Sequence, residues 1–124
     1  MKKDIKRFED LDVFQRGYKV SLEIHKLSLR MPKEEQYGLA DQMRRASKSI
    51  CANLAEGFGK QSVSANEFKR FVLMSMGSAD EMRVWLRYCY DLGYMDQVVW
   101  KGLSEEYHRV ARMLNSLRSN WASE

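Results

Sequence analysis

Apolar residues recur along this chain at steps of three and four, the repeat of an amphipathic α-helix, in four runs separated by breakers. The first run covers residues 10–29. Leu11, Phe14, Tyr18, Leu22, His25 and Leu29 draw one face, and Val13, Val20, Ile24, Leu27 and Met31 draw a second apolar stripe beside it. A bundle core needs only one stripe, so two predict burial over a wider arc, as at a subunit contact. A wide core face would give the same pattern. Pro32 breaks the helix, and Glu34 and Glu35 follow where acidic side chains favour the positive start of the next.

The second helix is predicted over 37–58, with Leu39, Met43, Ala46, Ile50, Leu54 and Phe58 inward and Gly57 and Gly59 supplying the backbone that ends it. The third spans 64–92. Ser64 and Glu67 form a capping box at its start, and Val63 and Phe68 are spaced for a hydrophobic staple. Phe68, Phe71, Val72, Ser75, Ala79, Met82, Leu86, Cys89 and Leu92 continue its inward face as far as Gly93. Asp96 caps the fourth, 96–118, where Met95 and Trp100 could form another staple. Val99, Leu103, Tyr107, Val110, Leu114, Leu117 and Trp121 are its regular stripe. Connections this short make neighbours antiparallel. The fold class is therefore all-α: an antiparallel up-down-up-down four-helix bundle over 10–121, behind a basic leader at 1–9.

Composition agrees. A chain of 124 residues, 44% hydrophobic and 31% charged with a single proline, is one helical domain that needs no disulfide or metal to fold. The basic N-terminus has no apolar run behind it, so it is not a secretory signal. The most apolar stretch, 71–94, contains Asp80, Glu81, Arg83, Arg87 and Asp91, whereas a membrane span needs about 20 mostly uncharged residues. Cys51 and Cys89 lack CxxC or zinc-ligand spacing and read as reduced thiols of a cytoplasmic protein. Net charge is +4, of which a local +3 sits in the first eight residues. That distribution predicts weak attraction to RNA rather than a dedicated nucleic-acid face.

Five polar residues stand out. Gln42, Arg45, Ser49, Asn53 and Glu56 fall beside the apolar stripe of the second helix, since each residue turns the helix by about 100°. They read either as a binding groove or as a hydrogen-bonded seam between helices or subunits, and the seam is favoured because buried polar groups usually satisfy one another. Folding the chain about Ser62 sets Arg45 level with Ser78 and Glu81, predicting an Arg45–Glu81 ion pair. Gly77, mid-helix, is expected to pack closely against Ala46 or Ser49. Arg44, Lys48, Arg109 and Arg112 could touch phosphates, although a solvated helix face explains them equally. Trp85, Trp100 and Trp121 could stack on bases, although Trp121 continues the core stripe.

Enzyme chemistry finds little support. Glu105 and His108 form an E-x-x-H pair of the kind di-iron bundles use, but such sites need a second pair and two more carboxylates. Neither His25 nor His108 has an arginine four to six residues ahead, as some helical ribonucleases do. No phosphate-cradling glycine loop or nucleophile–base pairing is present. The expectation is no catalytic residue, no metal, no cofactor and no small-molecule substrate.

Across residues 8 to 117 the chain resembles the four-helix proteins of the 23S rRNA intervening-sequence family. The matching segments are Phe8-Glu9-Asp10-Leu11, Tyr37-Gly38-Leu39, Gln42 with Arg45, Ser49-Ile50 with Asn53, Glu56-Gly57, Glu67-Phe68, and Gly77-Ser78 with Glu81. Cys51-Ala52 departs from many members. The resemblance implies a small bacterial protein forming ring-shaped homo-oligomers, often pentamers, with no enzymatic activity, and leaves association with RNA or the ribosome open. The alternative it carries is a nucleic-acid-binding accessory protein, similar to the variability determinant of diversity-generating retroelements. Gln42, Arg45, Ser49, Asn53, Glu56 and Glu81 are implied as a structural or interface seam.

Overall fold

The computed structural model describes residues 4–121, and these form four α-helices. Helix α1 is Asp12–Leu29, α2 is Leu39–Lys60, α3 is Ala65–Asp91 and α4 is Gln97–Asn120, with single 3-10 turns at Phe8–Asp10 and Lys33–Glu35. The register is antiparallel throughout. Gly57 of α2 meets Phe68 and Phe71 near the start of α3, Ser75 donates to the Ile50 carbonyl at 2.8 Å, and Cys89 reaches Met43 at the far end. Likewise Trp121 packs on Phe68 while Trp100 stacks on Tyr90, so α4 retraces α3. Gly17 faces Ile50 and Cys51, and Ser28 faces Arg44, so α1 and α2 run opposite ways.

Local chemistry explains the joints. Asp96 accepts from the Val99 N–H at 2.8 Å, as expected of an N-cap. Gly93 ends α3 at φ +82°, with Tyr94 N–H donating to Cys89 and Gly93 N–H to Tyr90, the paired bonds of a Schellman ending. The α3 start differs from expectation. Ser64 does accept from the Glu67 N–H, at 3.4 Å, but the Glu67 carboxylate turns to Arg70 at 2.6 Å. Val63 is 85% exposed, so no staple with Phe68 forms.

Ile24, Met43, Ile50, Leu54, Phe68, Met82, Leu86, Tyr107 and Leu114 are among the fully buried side chains that fill the core. Fully burying one such residue stabilises by roughly 1.5–3 kcal/mol. Ile5 and Phe8 pack against this core, so the domain begins inside the basic leader; residues 1–3 lie outside the described residues. Gly57 and Gly59 do not end α2, which runs on to Lys60. Gly57 is buried where a Cβ would overlap the Phe71 Cβ and lie 3.1 Å from its Cγ. Close approach of two helices, not termination, is what it permits. Gly77 is the reverse: it is exposed, and a Cβ there would meet nothing within 4 Å, so the predicted packing on Ala46 or Ser49 does not occur.

Candidate functional site

Helix α1 resolves its two stripes. Val13, Val20, Ile24 and Met31 are buried in the core, while Tyr18, Leu22 and Leu29 stay about half exposed at 51, 46 and 59%. Of the other stripe, Leu11 is buried in the core and Phe14 packs against it. Its outer part forms a groove with α2 of about 540 Å³, lined by Phe8, Phe14, Tyr18, Leu22, His25, Lys48 and Ala52. Phe14 stacks on Tyr18 and meets Phe8 edge-on, which stiffens the α1 wall. Exposed singly, such residues mean little. Set in one row on a helix whose core face is already filled, they form an apolar surface with no intrachain cover.

The polar stripe on α2 becomes only a partial seam. Ser49 donates to its own helix at Ala46 and to Ser78 across the α2–α3 boundary, and Asn53 Nδ2 donates back to the Ser49 carbonyl at 2.9 Å. Gln42, Arg45 and Glu56 are exposed. The Arg45–Glu81 ion pair does not form. Arg45 Nε lies 2.9 Å from Asp41 Oδ2, one helical turn back. A partner four residues away on the same helix is reached without spanning the interhelical gap, so the local pair wins. Glu81 is left exposed, and no ion-pair partner for it lies among the described residues.

The four predicted phosphate contacts separate into two places. Arg44 is engaged within the chain, donating to Ser28 Oγ at 3.0 Å, to Gln36 Oε1 at 3.3 Å and to the Gln36 carbonyl at 2.7 Å. It closes the α1–α2 joint and is not an open phosphate contact; a fork of fixed N–H donors suits that task. Lys48 lies in the apolar groove, 3.0 Å from His25 Nδ1. Partial burial and, second, the nearby Arg44 hold its ammonium below the ordinary lysine value. Neither position had a sequence signal, because one-dimensional spacing does not say which cation a loop carbonyl will claim.

Arg109 and Arg112 are exposed on α4, and among the described residues no ion pair engages either. They share a cleft of about 680 Å³ with Arg83, Lys101, His108 and Glu105. Arg16, on its edge, is paired with Glu106 through Nε at 2.8 Å. This clustering across α3 and α4 makes a local basic surface that the near-neutral balance of residues 9–124 conceals. The tryptophans are otherwise occupied: Trp100 stacks on Tyr90 under Arg87, Trp121 closes on Phe58 and Phe68, and Trp85 lies beside Tyr88.

A wider cleft of about 1030 Å³ lies where α1 and α4 diverge, with Val20, Leu27, Leu103 and Met113 along it and Lys19, Lys26 and Arg30 among its polar residues. Among the described residues no group of His, Cys, Asp or Glu could hold a metal ion, and Glu105 and His108 are both exposed. No helix among those residues is long and apolar enough to cross a membrane.

The architecture has a close counterpart among solved structures. A protein of unknown function from the S23 ribosomal protein family of Bacteroides thetaiotaomicron superimposes with a TM-score of 0.78. Identity is 19%, over 87% of this chain and 96% of that one, so the likeness establishes the shared fold. No curated protein shows significant similarity to the chain. The sequence matches the family model described as 23S rRNA-intervening sequence protein over residues 9–116, a span that takes in all of α1, α2 and α3 and most of α4. Together with the helical bundle it encodes, that match places the chain in the 23S rRNA-intervening sequence protein family.

Proposed function

We propose that this protein is a non-enzymatic homo-oligomeric scaffold that presents the basic face of α4 to RNA. The observation that carries the oligomer is the row Tyr18, Leu22 and Leu29, apolar and half exposed on a helix whose other face completes the core, with the partly buried Phe14 at its end. Burying that row against another subunit removes roughly 25 cal/mol of unfavourable free energy per Å² of apolar surface covered. The basic cleft around Arg109 and Arg112 supports the RNA part. A few cations per subunit suffice when assembly repeats them, because linked weak sites gain avidity. A ring of subunits, five by family resemblance, would repeat the cleft in one structure. Buried, unpaired Cys51 and Cys89 fit a reducing, cytoplasmic setting.

Filter binding to a structured RNA across a salt series tests the RNA part. Affinity should fall as salt rises, and Arg109→Ala and Arg112→Ala should each reduce the logarithmic salt slope by about 1. Binding indifferent to salt, or unchanged from wild type in both variants, would refute phosphate contact at α4. The same cleft would serve the second reading, an accessory protein that binds nucleic acid beside another enzyme. Competition with single-stranded DNA separates the two, since an RNA-selective surface resists displacement.

A further inference from the structure

The α1–α2 groove has a counterpart on the same chain. On α3, Leu73, Gly77, Val84 and Tyr88 recur at helical spacing on the side turned away from the core. Leu73, Val84 and Tyr88 are each about half exposed, at 49, 50 and 53%, and a Cβ at Gly77 meets nothing. This makes a ridge with one smooth step in it. The groove is its inverse: the α1 aromatics form one wall, while α2 contributes the small side chains Cys51, Ala52 and Ala55 to the other, with Lys48 as its one long side chain.

Charge distinguishes the two surfaces. Lys48 lies in the groove with a histidine nitrogen and a backbone carbonyl as its neighbours and no carboxylate among the described residues. Asp80 falls within the ridge, between Gly77 and Val84, and Glu81 stands beside it; both are exposed and neither has an ion-pair partner among the described residues. A two-fold contact of groove with groove would bring Lys48 toward its own copy, and ridge with ridge would bring the carboxylates together. Both oppose like charges across a contact, which is costly. Groove against ridge matches apolar row to apolar row and cation to carboxylate.

We propose that the α1–α2 groove of one copy receives the α3 ridge of the next, with Lys48 set against Glu81. The pairing deepens the oligomer reading above and rests on it. Such a contact is head-to-tail, so it leaves a free groove at one end and a free ridge at the other until the assembly closes on itself or extends as a filament. Glu81, which lacks its expected partner within the chain, acquires one between chains.

Charge exchange tests this in the full-length protein. Sedimentation velocity is run on wild type, Lys48→Glu, Glu81→Lys and the double variant, with circular dichroism confirming that each remains helical. Each single reversal should weaken assembly by about tenfold or more, since it opposes like charges at the contact, and the double should recover most of the loss. Singles that assemble like wild type, or a double no better than either single, would overturn the pairing. A second arm does not depend on charge. Leu22→Cys protein mixed with Val84→Cys protein should form mixed disulfides under mild oxidation, read by mass spectrometry. Exclusive Leu22→Cys or Val84→Cys homodimers would refute head-to-tail contact. A monomeric wild type would instead sink the oligomer reading itself, whereas an oligomer insensitive to both reversals sinks only this pairing.

Discussion

The two flanks of α2 are built to opposite specifications. Toward α3 the helix closes on itself chemically: Gly57 admits Phe71, Ser75 caps the Ile50 carbonyl, and Ser49 meets Ser78. What α2 leaves outside that flank, Gln42, Arg45 and Glu56, is polar and exposed. Toward α1 the outer row is aromatic and aliphatic, with the Lys48 ammonium beside it. A polar stripe left over beside a finished contact needs nothing more. An apolar one does, and that difference locates the surface on which another molecule is expected.

The comparison can be broken by substitution. The largest effect is expected at Gly57→Ala, where the new methyl must displace Phe71 at its Cβ, next to backbone, rather than at a flexible end. A loss of about 3 kcal/mol, read by urea unfolding, is the expected outcome, against a gain in helix propensity of about 1 kcal/mol. Unchanged stability would mean that α2 and α3 are not so closely apposed. Arg44→Ala comes next. It removes three hydrogen bonds at the α1–α2 joint and should cost about 2 kcal/mol while leaving RNA binding intact, the reverse of what a phosphate contact would show.

Smaller effects sharpen the picture of the core. The Tyr107 hydroxyl is buried with no hydrogen-bond partner among the described residues. Tyr107→Phe should therefore stabilise by about 1 kcal/mol in thermal unfolding, because the buried oxygen carries a desolvation cost without a bond to offset it. Gly102→Ala on α4, where a Cβ meets open space, should add about 0.5–1 kcal/mol, opposite in sign to Gly57→Ala. A pH effect, confined to the alkaline range, has a different origin. Burial raises both Cys51 and Cys89 from 9.0 to about 11, so the native chain holds protons that the unfolded chain releases. Their contribution is complete below pH 9.0 and is lost as pH rises to about 11. Alkylation of either thiol should be slow at neutral pH until the protein unfolds.

The α2, α3 and α4 cores were readable because one apolar stripe on each helix is the more continuous, although Leu92 and Val99, at the ends of their stripes, are exposed, and α3 carries a second row in Leu73, Val84 and Tyr88. Asp96 and Gly93 were readable for a similar reason, since a cap and a positive φ each favour few residue types. On α1 the signal was ambiguous, because both stripes are apolar and only the position of α2 decides which faces inward. Arg45 could be placed on the correct face but not assigned a partner, as Asp41 and Glu81 compete and the nearer one on the same helix prevails. Gly57 has the close-packing role expected of Gly77, and Gly77 packs on nothing, for a related reason. A glycine's purpose depends on what stands opposite it, and that is set by interhelical distance rather than by neighbours in sequence. The basic cleft escaped notice because Arg83 and Arg109 converge only once α3 and α4 are packed.

Sedimentation equilibrium of the wild-type protein beside Leu22→Glu, at tens of micromolar, bears most directly on the exposed α1 row. Wild type should have the mass of several chains, and the variant, with a carboxylate in the middle of that row, should fall to one chain while keeping its helical content. Equal masses for the two proteins, whether both monomeric or both assembled, would contradict the assignment of this surface as the one that joins subunits.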